Sequence, residues 1–376
     1  MLTALRTTWV ATFVAVALLL GGAGTVLSLR HRVPARTSST QEDFKTVAFT
    51  SEMGREFSPA ISPDGRQVAY VWDKDADVPD IYLRAVQDGS PQMLDAAPAT
   101  RLFPSWSPDG KQLAFLQVEG DDVYIVTHSF ADGSEQKITR IGKQVGQWAG
   151  DNSPLLGAQG PTWTTDGKGL ILSDYDTATS SGGIFQLDMD GRRTTLILSR
   201  GEDRELYPRL SPDGKLLAYV RYSSHGVGEL FVKTMADATD SRQITFDKKT
   251  IQGIAWTQDD RHLLFSLNRD GAFQLWSIAV DGGNPAIVRT DSSSAAEPAI
   301  DKPGDWIVYV QSNVNWNIWR WPLNGSAHDA PQRLISSSGR NYDARYSPDG
   351  SQIAFVSDRS GSMELWVANS GGEDAK

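Results

Sequence analysis

From residue 44 onward the chain alternates short apolar runs with clusters of Ser, Pro, Asp and Gly. Four turn-forming residues precede each apolar triplet. Ser62-Pro63-Asp64-Gly65 leads to Val68-Ala69-Tyr70, Ser107-Pro108-Asp109-Gly110 to Leu113-Ala114-Phe115, and Ser211-Pro212-Asp213-Gly214 to Leu217-Ala218-Tyr219. Ser347-Pro348-Asp349-Gly350 repeats the full form, while Thr164-Thr165-Asp166-Gly167, Thr257-Gln258-Asp259-Asp260 and Asp301-Lys302-Pro303-Gly304 are looser copies. Pro presets φ, Asp bonds the backbone ahead of it and Gly takes a positive φ, so each tetrad predicts a tight turn between two strands. The third residues of successive tetrads are 45, 57, 47, 46, 44 and 46 positions apart. A period in the forties marks a repeat architecture, and the long interval is an insertion near 142–159.

Each unit reads as four short strands: one entering the tetrad, one leaving it, a third, and a fourth beyond Gly-containing turns. The third strands are expected at 80–83, 123–126, 183–187, 229–232, 274–278, 317–321 and 364–367, where β-branched and aromatic residues lie between turn formers. No segment after residue 43 has helical periodicity. Four antiparallel strands repeated with this period describe a blade of an all-β propeller. The chain starts with an orphan fourth strand at 47–50 and ends with three strands, which together make seven four-stranded blades. The first strand is therefore expected to pair with 364–368 and close the ring, leaving no open blade edge.

Residues 7–29 carry no charge. As a helix they would span roughly 34 Å at about 1.5 Å per residue, enough to cross a bilayer, with Trp9 at the interface. A transmembrane signal anchor is expected there. The alternative is a cleaved signal peptide with Arg6 as its charged start, but no small-residue cleavage site follows. The expected organisation is a short tail at 1–6, the transmembrane helix at 7–29, a polar linker at 30–43, the propeller at 44–370 and a tail at 371–376. Flanking charges (Arg6 against Arg30, Arg32 and Arg36) leave the orientation open, because long domains translocate largely regardless of charge.

Composition narrows the chemistry. Thirty-six basic and 46 acidic residues give a formal net charge of −10, which argues against electrostatic binding to nucleic acid. There is no cysteine, hence no disulfide, thiolate site or Cys nucleophile, and five scattered histidines offer little for a metal site. No metal and no cofactor is expected.

The tetrad with its following Leu/Ile-Ala-Phe core, and Leu-Trp-Val at 365–367, resembles the TolB-type (WD40-like) propeller repeat over roughly residues 46–368. The resemblance implies an extracytoplasmic, usually periplasmic, non-enzymatic propeller acting through protein contacts. An apolar helix followed by residues 57–69, and later by 354–362, is similar to the extracytoplasmic half of membrane-bound winged-helix regulators. Five residues precede Arg6, so neither a DNA-binding domain nor the separate N-terminal α/β domain of TolB proteins is expected in this chain.

Propellers also accompany prolyl-oligopeptidase-type hydrolases, but no Gly-x-Ser-x-Gly elbow occurs in the sequence. The repeated tetrad aspartates read as turn residues rather than metal ligands, and Trp106, Trp163 and Trp256, at one repeat position, read as packing between blades. Asp73, Asp75 and Asp77 lack the glycine and closing acid of a calcium loop. Candidate binding residues lie in the loops around one mouth of the channel, since loops on a rigid scaffold carry function. Fourth-to-first connections supply Arg55, Glu56, Arg101, Arg204, Glu205, Lys248, Lys249, Glu297, Arg340 and Tyr342. Second-to-third connections supply residues 73–80, 174–183, Arg269 and Arg359. The expected function is a membrane-anchored, non-catalytic module that binds or senses a protein or peptide. The alternatives are a detached sensory domain of a winged-helix regulator and a propeller partner of a separately encoded hydrolase.

Overall fold

The computed structural model describes residues 46–376 apart from 75–77, 88, 96–99, 142–159, 177–180, 225, 237–240, 293, 302, 305, 312–315, 324–329, 338–339 and 361–362. The expected transmembrane segment, the linker and the 142–159 insertion lie outside the described residues. Among the described residues no helix is long and apolar enough to cross a membrane.

The described chain is strand and turn. Five four-stranded antiparallel sheets come first. They are β1 Glu56–Ile61, β2 Gln67–Trp72, β3 Asp80–Ala85 and β4 Gln92–Met93; then β5 Thr100–Trp106, β6 Gln112–Glu119, β7 Asp122–Ser129 and β8 Glu135–Ile141. Next come β9 Thr162–Trp163, β10 Gly169–Asp176, β11 Ser181–Asp188 and β12 Arg193–Leu198, and β13 Arg204–Leu210, β14 Leu216–Ser224, β15 Val227–Thr234 and β16 Arg242–Gln243. The fifth is β17 Ile251–Trp256, β18 His262–Asp270, β19 Ala272–Ala279 and β20 Ala286–Val288. The sixth repeat is split into β21 Ala296–Ile300 with β22 Ile307–Val310, and β23 Ile318–Arg320 with β24 Gln332–Ile335. The seventh has three strands, β25 Asn341–Tyr346, β26 Gln352–Ser357 and β27 Glu364–Asn369.

The tetrads form the turns their residues dictate. The Ser62 hydroxyl donates to Asp64 at 2.6 Å and accepts the Gln67 N–H at 3.0 Å, while the Gly65 N–H reaches the Ser62 carbonyl at 2.9 Å. The hydroxyl-to-Asp bond recurs at Ser107–Asp109, Thr164–Asp166, Ser211–Asp213, Thr257–Asp259 and Ser347–Asp349. The fourth position has a positive φ throughout, 71° at Gly65 and 59° at Asp260, where a side chain replaces the usual glycine.

A second regularity sits in the first strands. Ser58, Phe103, Tyr207, Gly253, Glu297 and Asp343 each have a positive φ, and pairing with the second strand shifts register at each of these positions. Each is therefore a β-bulge, which bends the strand and re-aims a side chain.

First strands pack on one another in sequence order, β1 on β5, β5 on β9, β9 on β13, β13 on β17 and β17 on β21; β21 and β22 then pack on β1. The tryptophans lace this cycle. Trp106 Nε1 donates to the Ala60 carbonyl at 3.0 Å, Trp163 to Ser105 at 3.0 Å and Trp256 to Arg209 at 2.8 Å, each reaching into the preceding sheet. At the seam the Ser58 N–H donates to Glu297 Oε2 at 2.6 Å, and Ala299 and Val308 pack with Ile61, Val68 and Tyr70.

Seven sectors closed by residues 47–50 were expected from the sequence. The described residues show a different closure. Residues 47–50 form no strand, and Phe49 packs against the first-sheet cluster of Ile61, Val68, Tyr70, Trp72 and Tyr82. The outer backbone of Val367 is bonded in both directions to Lys376, at 3.0 Å, so the chain's own last residue occupies the edge assigned to 47–50. At the first–sixth seam, Ala299 and Val308 cover the apolar face of Ile61, Val68 and Tyr70. The last repeat shares a separate core with β23 and β24, built on Leu334, Ile335, Ile353, Phe355 and Ala368.

Candidate functional site at the inner strands

The bulges place Ser58, Phe103, Tyr207 and Glu297 on the strands that surround the axis of the cycle. Tyr207 and Phe103 are buried, as is Ser58, whose hydroxyl has no hydrogen-bond partner. Arg209, two residues past the fourth-repeat bulge, donates to the Gly160 carbonyl at 3.2 Å and the Pro208 carbonyl at 2.9 Å. Burial pulls its guanidinium down to about 10, with Tyr207 and Glu297 opposing the shift, so it stays cationic at neutral pH. Glu56 lies next to this seam. Burial raises its carboxyl, reinforced by Glu52 and Asp73, and its Oε1 is enclosed without a hydrogen bond. The inner strands thus hold a cation, two carboxylates and unsatisfied polar atoms on a rigid frame. Such a surface can bind polar groups of a ligand, because buried polar atoms are ordinarily satisfied.

The sequence-derived mouth residues are mostly engaged within the propeller. Arg55 donates its backbone N–H to Asp73, and its Nε pairs with Asp73 Oδ2 at 2.5 Å. Arg340 makes the equivalent pair with Asp358, at 2.6 and 2.9 Å. Arg101 is buried and donates to Asp80 at 3.1 Å and Asp95 at 3.3 Å, tying the second sheet to the first. Glu205 is buried against Arg221 Nε at 2.9 Å and accepts the Ser199 hydroxyl. The Arg204 guanidinium lies 3.5 Å over the Tyr175 ring. Lys248 donates its backbone N–H to Glu229 at 2.6 Å, Lys249 donates to the Ser360 carbonyl, and Arg269 pairs with Asp247 at 2.6 Å over the Trp276 ring. Tyr342 donates to Met363 Sδ at 3.1 Å, and burial raises its hydroxyl. Arg359 donates to Asn341 at 2.7 Å and spans Phe355 and Trp366, with burial lowering its guanidinium.

The structure brings Glu297 and Glu56 to the seam and groups Arg340, Tyr342 and Arg359 on the last repeat. Arg101, Glu205, Arg204, Lys248 and Arg269 are dispersed among separate sheets. Sequence reasoning missed Ser58, Phe103, Tyr207 and Arg209. Their signal was available, since Ser58, Phe103, Tyr207 and Glu297 each precede a proline in the first strand. A hollow lined by Asp166, Lys168, Gln186, Asp188 and Arg192 lies away from this site, by the third tetrad. Among the described residues no group of three His, Cys, Asp or Glu side chains is arranged to hold a metal.

A cycle of antiparallel sheets on contiguous inner strands defines a β-propeller. Residues 150–329, just under half of the chain, match the family model described as the TolB beta propeller domain. Among curated proteins, the chain is 27% identical over 178 residues to Bacillus subtilis (strain 168) "Uncharacterized peptidase YuxL", covering 46% of this chain and 23% of that protein. It is 24% identical over 206 residues to "Uncharacterized protein Atu1656" of Agrobacterium fabrum, covering 53% and 65%. Among solved structures, TolB from Acinetobacter baumannii aligns with a TM-score of 0.55 at 20% identity, covering 67% of this chain and 58% of that one. The chain spans less than two thirds of each of these proteins, and the structural likeness shows the fold alone.

Proposed function

We propose that this chain is a membrane-anchored, extracytoplasmic propeller that binds a protein or peptide and performs no catalysis. The observation that carries this reading is the inner-strand frame, where Glu297 and the free Ser58 hydroxyl stand on bulges, with Glu56 and Arg209 each two residues from the bulge of its own first strand. In this reading residues 7–29 are the transmembrane helix and 30–43 the tether.

Two measurements test the proposal. A periplasm-dependent reporter fused after Lys376 is expected to be active, and a silent one places the propeller on the cytoplasmic side. Affinity purification of the full chain from membranes is expected to retain a protein partner that is lost with Ser58→Ala/Glu297→Gln. Identical recovery with both chains removes the inner strands as the site. The name of the peptidase relative favours one second reading, a propeller serving a separately encoded hydrolase. A hydrolase as the retained partner supports that alternative.

A further inference from the structure

Equivalent residues of the repeats differ sharply in burial. Ile81, Ile125, Ile184, Leu230 and Leu275 sit opposite one another's counterparts in the second strand and are all 0% exposed. Leu365 holds the same register against Val356 and is 72% exposed. The buried residues share clusters with the following repeat: Ile81 with Leu102 and Phe103, Leu230 with Ile251 and Ile254, Leu275 with Ala295 and Ile300. What covers this position elsewhere is therefore the next sheet of the same chain. For the last repeat of a ring, the next sheet is β1–β4.

The opposite face of the last repeat says the same. Tyr346 occupies the position of Trp163 and Trp256; those are 6% exposed against the preceding sheet, and Tyr346 is 50% exposed. The split sixth repeat supplies the remaining piece. Tyr70 faces Tyr82, Tyr219 faces Phe231, Phe265 faces Trp276 and Phe355 faces Trp366 across the second and third strands. The same register in the sixth repeat would set Tyr309 opposite Trp319, which is 56% exposed here. Residues 311–317 join β22 to β23, a connection as long as 73–79 between β2 and β3.

We propose that the Leu365 face is a docking face for the β1–β4 sheet, and that the chain exchanges between two ring closures. One is the six-repeat closure described here, with β21 and β22 on β1. In the other, β22 takes β23 as its neighbour and the last repeat enters between the sixth repeat and β1. The second closure rests on the seven-sector reading of the sequence. Insertion gives up the first–sixth seam and gains two seams, covering Leu365 on one side and Tyr346 on the other. It also moves Glu297 away from Ser58, so the exchange opens and closes the inner-strand site.

The absence of native cysteine allows each closure to be trapped in the full chain in its membrane. Ser58→Cys/Glu297→Cys reports the six-repeat closure. Glu56→Cys/Leu365→Cys reports the seven-repeat closure, with substitutions at a partly exposed and an exposed position. Short thiol cross-linkers are expected to give partial intramolecular bridging in both variants. Leu365→Glu, which opposes docking, is expected to drive the Ser58/Glu297 bridge toward completion. The proposal fails if Glu56/Leu365 never bridges, if it bridges only between two chains, if Ser58/Glu297 never bridges, or if Leu365→Glu leaves that bridge unchanged. None of these results depends on the side of the membrane the reporter finds or on the partner recovered.

Discussion

The first five repeats and the last two are written with the same local code, yet they bury their residues differently. Ser211-Pro212-Asp213-Gly214 and Ser347-Pro348-Asp349-Gly350 make the same turn, with hydroxyl-to-carboxylate bonds of 2.8 and 2.6 Å. The strands that follow pair in the same register. Leu230 is nevertheless enclosed and Leu365 open to solvent. Turn chemistry and cross-strand pairing are decided within a repeat, whereas burial is decided by which repeat stands beside it. In repeat proteins stability is shared between the unit and its interfaces, and here the two contributions separate along one chain.

The largest expected difference follows from that burial. Leu230→Ala should destabilise by about 2–5 kcal/mol, because it removes a side chain packed with Ile251 and Ile254. Leu365→Ala should change stability by less than about 0.5 kcal/mol. Denaturant unfolding of both variants checks the contrast, and equal losses would mean that the last repeat has a neighbour on that face.

Next in size is the lacing between sheets. Trp256→Phe keeps the ring but removes the Nε1 bond to the Arg209 carbonyl, at an expected cost of about 1–3 kcal/mol. Tyr346→Phe, at the equivalent position, should be neutral. A thermal melt of each variant is sufficient to tell them apart.

A smaller contrast lies in the turns. Alanine at Gly65 or at Gly350 strains a positive φ by about 1–2 kcal/mol in either repeat. Only at Gly65 would the new Cβ also meet Asp301 Oδ2, at 2.8 Å; nothing lies within 4 Å at Gly350. Gly65→Ala is therefore expected to melt below Gly350→Ala, and the reverse order would break the link between the first and sixth tetrads.

The tetrad aspartates should respond to acid alike in both regions. Asp64, Asp109, Asp166, Asp259 and Asp349 are held below the usual carboxylate range chiefly by their Ser or Thr hydroxyl, and Asp213 chiefly by Lys215. Asp213 and Asp349 are lowered to about 2. A depressed carboxyl contributes stability above its unfolded value of about 4 and loses it as the pH falls through the folded value. The melting temperature should then hold steady above about pH 5 and fall between about pH 4 and pH 2. Asp349→Asn should remove a small part of that fall.

Much of this fold could be read from the sequence because its determinants are local. Each tetrad carries its own turn chemistry, and the spacing of Trp106, Trp163 and Trp256 marks a position that faces the preceding sheet. The closing seam could not be read in that way. Whether β1 meets the sixth or the seventh repeat depends on Ala299, Val308, Ile61 and Val68, apolar residues with no local mark of their partner. The site was legible only in part for a related reason. Charge in a loop suggests a mouth, but Arg101 and Glu205 spend theirs on Asp80 and Arg221. Ser58 and Tyr207, which are uncharged, reach the inner strands through a bulge that shows in the sequence only as a residue before proline.

The most direct test is the maleimide labelling rate of single cysteines in the folded, otherwise cysteine-free chain, placed at Leu275→Cys and Leu365→Cys. Rapid labelling at 365 with strong protection at 275 is the predicted result. Equal protection at both positions would contradict a last repeat standing outside the six-repeat cycle.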